Sequence, residues 1–281
     1  MALAGMGVSA VLAVLKISIG VAAGSEATLA DGVESAADVL ASGMLVLGLT
    51  LAARPADEDH PYGHGRFEIL TGLAIGLLLV VTGGGIAIHS FQAIHVNTAP
   101  PAAYAVWPLL ISLISKGLMS AWKLRVAESI QSSALAADGK NDFVDLISGA
   151  TALGCLGLTL FDPTRFAHAD AIGGCLVGGI VVFLGSQVIR ETASQLIDTM
   201  PDGERLDGIR SAAMSVEGVR AIEKVHARKT GLRWHVDMHV HVDPAMRVDE
   251  SHVIAGKVKS ALRERLDWIE NVLVHIEPAS E

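Results

Sequence analysis

Two things are scarce in this chain of 281 residues: cysteine and charge. The only 2 cysteines, Cys155 and Cys175, each lie in an apolar run, which leaves no basis for a disulfide framework or a cysteine-based zinc site. Charged residues make up 18% of the chain against 51% hydrophobic, a balance too apolar for an ordinary water-soluble enzyme of this length, and it points to membrane integration. Positive charge is scarcer still. With 21 Lys+Arg against 30 Asp+Glu the formal net charge is -9, which argues against nucleic acid as a partner, because phosphate binding needs clustered Lys and Arg. An acidic chain with 11 His suits divalent cations better. Hydrolytic signatures are missing too: there is no H-E-x-x-H, and no Ser/His or Cys/His nucleophile pair stands out, so an enzyme is not expected.

What is present is a series of apolar runs, each long enough for a bilayer crossing of about 20 residues. They fall near residues 2–23, 27–52, 68–95, 103–125, 132–160 and 169–189, and predict six transmembrane helices. Turn chemistry separates them at Gly24-Ser25-Glu26, Arg54 to Arg66, Asn97 to Pro101 and Phe161 to His168. The first run has no basic n-region or clear cleavage site and reads as a retained helix. Six spans put both termini on one side. Arg54, Arg66, Lys123, Arg125 and Arg190 lie at loop ends on that side, against Arg165 alone on the other, so the termini are expected in the cytoplasm.

An internal repeat, A-D-G-x-[E/N]-x-x-x-D, occurs at Ala30 to Asp38 in the second run and Ala137 to Asp145 in the fifth. At about 100° per residue, its polar positions share one helical face. Asp31, Glu34 and Asp38 form one stripe, and Asp138, Asn141 and Asp145 another. A carboxylate facing lipid costs roughly 2.5–3.5 kcal/mol on insertion scales, so the stripes should face each other or a water-filled cavity. A lone polar residue would read as interhelical hydrogen bonding. A duplicated i, i+4 pair instead predicts a four-ligand cation site of Glu34, Asp38, Asn141 and Asp145, with Asp31 and Asp138 one turn away in a supporting or orienting role. Lys16 and Lys116, also within spans, are expected to snorkel or to pair with a carboxylate.

Charge becomes dense from Pro201 onward, and so does secondary-structure punctuation. A helix over 204–214, strands over 219–229 and 233–242, a helix over 250–266 and a strand over 271–277 give αββαβ, a small ferredoxin-like α+β domain. The expected division is a six-helix transmembrane domain, residues 1–195, and a cytoplasmic metal-binding and dimerisation domain, residues 196–281. In the second strand Trp234, Val236, Met238, Val240 and Val242 alternate with His235, Asp237, His239, His241 and Asp243. A solvated face would be served equally well by Lys or Thr, so the excess of His favours metal binding.

The loop pattern D-x-x-H-x-x-G-H-G-[KR]-x-E from Asp57 to Glu68, the six-helix plan, the paired stripes and the soluble tail together resemble the cation diffusion facilitator family over nearly the whole chain. The resemblance implies a homodimer in the lipid bilayer that exports a divalent metal in exchange for protons. It implies the transport site at Glu34, Asp38, Asn141 and Asp145, a loop metal site at Asp57, His60 and His64, and a cytoplasmic metal site at Glu223, His239, His252, His275 and Glu277. It also implies a charge interlock between Arg66 and Asp198 near the dimer contact. Zinc-preferring members usually carry His where this chain has Asn141. An all-oxygen set suits Mn²⁺ or Fe²⁺ better than Zn²⁺, though zinc accepts carboxylates, and Co²⁺ also stays open. Metal would be cargo and, in the tail, regulator, with no organic cofactor. Three carboxylates in a low-dielectric pocket cannot all ionise without a cation, so protons are expected to take the place of metal. The competing reading is a membrane-bound metal sensor or assembly partner that binds metal without transporting it.

Overall fold

Backbone amides in hydrocarbon must find partners within their own segment, which is why each apolar run closes into a helix. The computed structural model describes residues 2–96, 99–129, 133–231 and 233–279; of residues 2–5, 127, 129 and 133–141 it describes the backbone alone. Six long helices follow one another: α1 Ala2–Ala23, α2 Glu26–Ala52, α3 Arg66–Ile94, α4 Val106–Ser129, α5 Ser133–Phe161 and α6 Ala169–Leu196. All 6 are long and apolar enough to cross a membrane. The chain is thus an integral, multi-pass membrane protein. The break expected from Asn97 to Pro101 falls partly on residues 97 and 98, outside the described residues.

Local chemistry sets the joints. Gly24 turns the chain at φ 66, a left-handed value that a side chain would resist, and Ser25 then caps α2 by accepting from the Thr28 amide at 3.2 Å. The Ser25 hydroxyl donates in turn to buried Asp170 of α6 at 2.8 Å. Helix α6 outruns its apolar stretch, which suggested an end near residue 189, and continues to Leu196. Polarity there marks the edge of the apolar layer rather than the end of the helix.

Contacts divide the chain into two compact units, residues 1–46 with 74–189, and residues 47–73 with 190–281. In the first, small residues bring helices together. A Cβ on Gly83 of α3 would stand 2.8 Å from the carbonyl oxygen of Gly178 in α6, and one on Gly178 only 2.7 Å from the Ala87 amide nitrogen. A core of Ala27, Ala30, Leu109, Ala152, Leu156 and Val177 lies among the helices, whereas Val11, Val14, Val81, Leu118 and Phe183 face outward. An apolar exterior over a polar interior fits a lipid surround.

In the second unit, α7 Gly203–Met214, β1 Ala221–Thr230, β2 Arg233–Val242, α8 Val248–Arg265 and β3 Ile269–Pro278 reproduce the αββαβ order. The sheet order is β1-β2-β3, with β1 antiparallel and β3 parallel to β2. Helix α8 supplies the crossover that a parallel pair requires. The expected alternation of β2 holds: Trp234, Val236, Met238, Val240 and Val242 are buried with Ile209, Val258 and Leu262 of the two helices. The opposite face is left for His235, His239 and His241.

Candidate metal sites

Within the bundle, α2 delivers Glu34 and Asp38, and α5 delivers Asp145. Glu34 and Asp145 are buried. Glu34 accepts from the Ser148 hydroxyl of α5 at 2.5 Å, and Asp145 accepts from Lys116 of α4 at 2.6 Å. The same ammonium stands 3.8 Å from Asp38, whose Oδ2 is buried and makes no hydrogen bond among the described residues. The same holds for Oδ2 of Asp31 and of Asp142, each of which stands against a lysine. The fourth expected ligand, Asn141, and its neighbour Asp138 have side chains outside the described residues. Of the two roles expected for Lys16 and Lys116, the structure shows pairing. Lys16, 0% exposed, meets Asp31 at 2.7 Å and donates to Ser35 and Ser112. Lys123, counted above as a loop-end cation, is instead buried within α4 and paired with Asp142 of α5 at 2.6 Å. Its charge is compensated inside the bundle, so it does not bear on orientation.

The loop between α2 and α3 gathers Asp57, His60 and His64, with ligand atoms within 4.8 Å of one another. Asp57 Oδ1 accepts from the His60 amide at 2.6 Å and from its Nδ1 at 3.0 Å, and these bonds hold the Asp57 carboxyl below its usual range. His64 Nδ1 donates to the Pro55 carbonyl at 3.1 Å, which turns Nε2 toward Asp57 Oδ2 at 3.5 Å. One carboxylate and imidazole nitrogens form a donor set that suits a borderline divalent ion.

In the tail, strand register builds the cluster. Parallel pairing sets His239 opposite His275 and His241 opposite Glu277. A register shift in β1 between Ile222 and Val225 lies where Glu223 joins them. Two groups result, His239/His275/Glu277 and Glu223/His241/Glu277, each with ligand atoms within 4.8 Å and sharing Glu277. His239 donates to Glu277 at 2.7 Å, which is the first reason the Glu277 carboxyl lies below its ordinary range. His241 Nε2 stands 3.3 Å from Glu277 and 3.5 Å from Glu223, buried, with no hydrogen bond to either. His252, expected in this site, is exposed on α8 beside Arg247 and Asp249, outside both groups, and His241 stands in the second group. The i, i+2 spacing of His239 and His241 on one face of β2 was the available signal. Arg66 and Asp198, expected to interlock, stand 3.6 Å apart.

The transmembrane part, residues 2–197, matches the family model of the cation efflux transmembrane domain, and residues 201–279 match that of the cation efflux protein cytoplasmic domain. The chain belongs to the cation diffusion facilitator family. Within this family of cation transporters it is similar to the manganese efflux system protein MneP of Bacillus subtilis, at 25% identity over 95% of this chain and 91% of the relative. It is also similar to the uncharacterized transporter MJ0449 of Methanocaldococcus jannaschii, at 31% over 95% and 93%. The magnetosome protein MamM of Magnetospirillum gryphiswaldense is 29% identical over 97% and 86%. Among solved structures, a cadmium form of a MamM CTD variant aligns at 29% identity over 28% of this chain and 98% of that one, with a TM-score of 0.27.

Proposed function

We propose that this facilitator is a homodimeric secondary transporter that exports a divalent metal from the cytoplasm, where both termini lie, and takes up protons in return. The observation that carries the reading is the meeting of the two repeats. Asp38 of α2 and Asp145 of α5 share one ammonium, and Glu34 is bonded to α5 through Ser148. Carboxylates from two helices converging in the membrane interior are costly unless a cation passes there. With Asn141 as fourth ligand the cargo site is all oxygen, which favours Mn²⁺ or Fe²⁺ over Zn²⁺ or Co²⁺. The manganese efflux protein among the relatives supports that order. Metal arriving at the site displaces protons from carboxylates that cannot all stay ionised without it, and that exchange is the antiport.

The loop set Asp57, His60 and His64 and the tail set Glu223, His239, His241, His275 and Glu277 hold regulatory metal. The tail domain, residues 196–281, is the dimerisation element, and its match to the family's cytoplasmic domain supports this role. Arg66 and Asp198 then tie the start of α3 to the end of α6 near the dimer contact.

Uptake into proteoliposomes tests the reading, with Mn²⁺, Fe²⁺, Co²⁺ and Zn²⁺ compared side by side and lumenal pH recorded. Metal movement against a counter-flow of protons is expected, fastest for Mn²⁺ or Fe²⁺. Binding without uptake of any of the four ions would make the chain a sensor rather than a transporter. Asn141→His should raise the rate for Zn²⁺ relative to Mn²⁺, since imidazole nitrogen favours the later metal.

A further inference from the structure

Buried lysines accompany the buried acids of the bundle, but they are not equivalent. Lys16 donates to Ser35 and Ser112 and stands 2.7 Å from Asp31 as an ion pair, and none of the three is a proposed cargo ligand. Lys123 pairs with Asp142, one turn from the quartet. Lys116 differs from both. It donates a single hydrogen bond among the described residues, to Asp145 at 2.6 Å, and leans toward the orphaned oxygen of Asp38 at 3.8 Å. Its ammonium therefore stands between a carboxylate of each repeat, where a cargo ion bound to both would have to sit.

We propose that Lys116 is a tethered counter-cation of the transport site: it bridges Asp145 and Asp38 when cargo is away and yields those oxygens to the divalent ion. The inference rests on the assignment of Glu34, Asp38, Asn141 and Asp145 as that site. Three features support the role. A lysine ammonium is a point charge on a flexible four-carbon stem, able to withdraw along its helix without backbone movement. Once cargo has displaced the protons from Glu34, Asp38 and Asp145, one ammonium against three carboxylates leaves two negative charges, which a divalent ion matches and a monovalent ion does not. Finally, a site that must release its cargo needs binding weak enough to reverse, and a built-in competitor supplies that weakness. Lys116 is thus a positioning and affinity-setting residue for transport.

The test is the initial rate of transport by the full-length protein in proteoliposomes, against the concentration of Mn²⁺ and of Zn²⁺, each alone at fixed pH. Lys116→Met removes the competitor, so KM should fall about tenfold or more while kcat also falls, because cargo leaves slowly. Lys116→Arg keeps the charge and adds a two-pronged grip on carboxylates, so KM should rise about tenfold. Opposite movements of KM are the signature. A lysine that merely holds helices together would lower the melting temperature and kcat of both variants at unchanged KM, and that result overturns the proposal. If Lys116→Met does not fold, Lys116→Arg decides alone, and an unchanged KM there is equally fatal. Asp38→Asn and Asp145→Asn run in parallel. Parental rates from these would overturn the site itself, and the lysine's role with it; inactive Asp variants beside Lys116 variants of parental KM overturn only the lysine's role.

Discussion

The membrane bundle and the second unit both concentrate carboxylates, yet they set different side chains against them. In the bundle the partners of Asp31, Asp142 and Asp145 are Lys16, Lys123 and Lys116. In the other unit Asp57 faces His60 and His64, and Glu277 faces His239, His241 and His275. The difference follows from dielectric. A carboxylate in hydrocarbon needs a lasting counter-charge, and lysine, titrating near pH 10.4 in water, supplies one. Near water a histidine can shed its proton close to neutrality and become a ligand. Fixed charge thus accompanies the proposed cargo site, and switchable donors accompany the proposed regulatory sites.

The contrast breaks most readily at Asp38 and Asp145. Alanine at either position should abolish uptake in proteoliposomes while leaving a folded dimer on size-exclusion chromatography, because the site has no spare charged ligand. Parental uptake by either variant would move the path elsewhere.

Next in size is the cost of unpairing a buried charge. Lys16→Met strands Asp31 and should destabilise the protein by roughly 3–5 kcal/mol, read as thermal unfolding in detergent. Asp57→Asn, at a pair about half exposed, should cost far less. Equal losses would mean that the two regions do not differ in the way described.

The tail predicts a smaller functional effect. Replacing His239, His241 and His275 together by alanine should remove Zn²⁺ stabilisation of the tail, residues 201–281, whose core lies wholly within that segment. In the whole protein the same change should slow transport without stopping it. Complete loss of uptake in a folded variant would place the tail on the path. The pH dependence separates two kinds of group. Glu277 is held below its ordinary range, so its contribution to folding is complete above the unfolded glutamate value of about 4.3 and is lost as pH falls toward the lower folded value. Histidines ligate only when neutral, so the Zn²⁺-dependent gain in melting temperature should shrink as pH falls. A gain that does not change with pH would remove histidine from the ligand set. Smallest of all, Arg66→Ala should change stability by about 0–1 kcal/mol, since both members of its pair with Asp198 are about half exposed.

The sequence by itself determined the six spans, the repeated acidic stripes of α2 and α5, and the two-faced strand β2. Each is a short-range periodicity, and hydrophobic burial acts on such periods whatever the rest of the chain does. Only the tertiary structure decided which polar groups meet. That Lys116 reaches Asp145 and leans toward Asp38, and that Lys123 is buried against Asp142, depends on how α4 packs against its neighbours. That His241 rather than His252 joins Glu223 and Glu277 depends on the parallel register of β3 on β2 and on the register shift in β1. These are long-range pairings, and in a sheet a slip of one residue would turn every side chain to the other face. No local pattern could therefore have settled them.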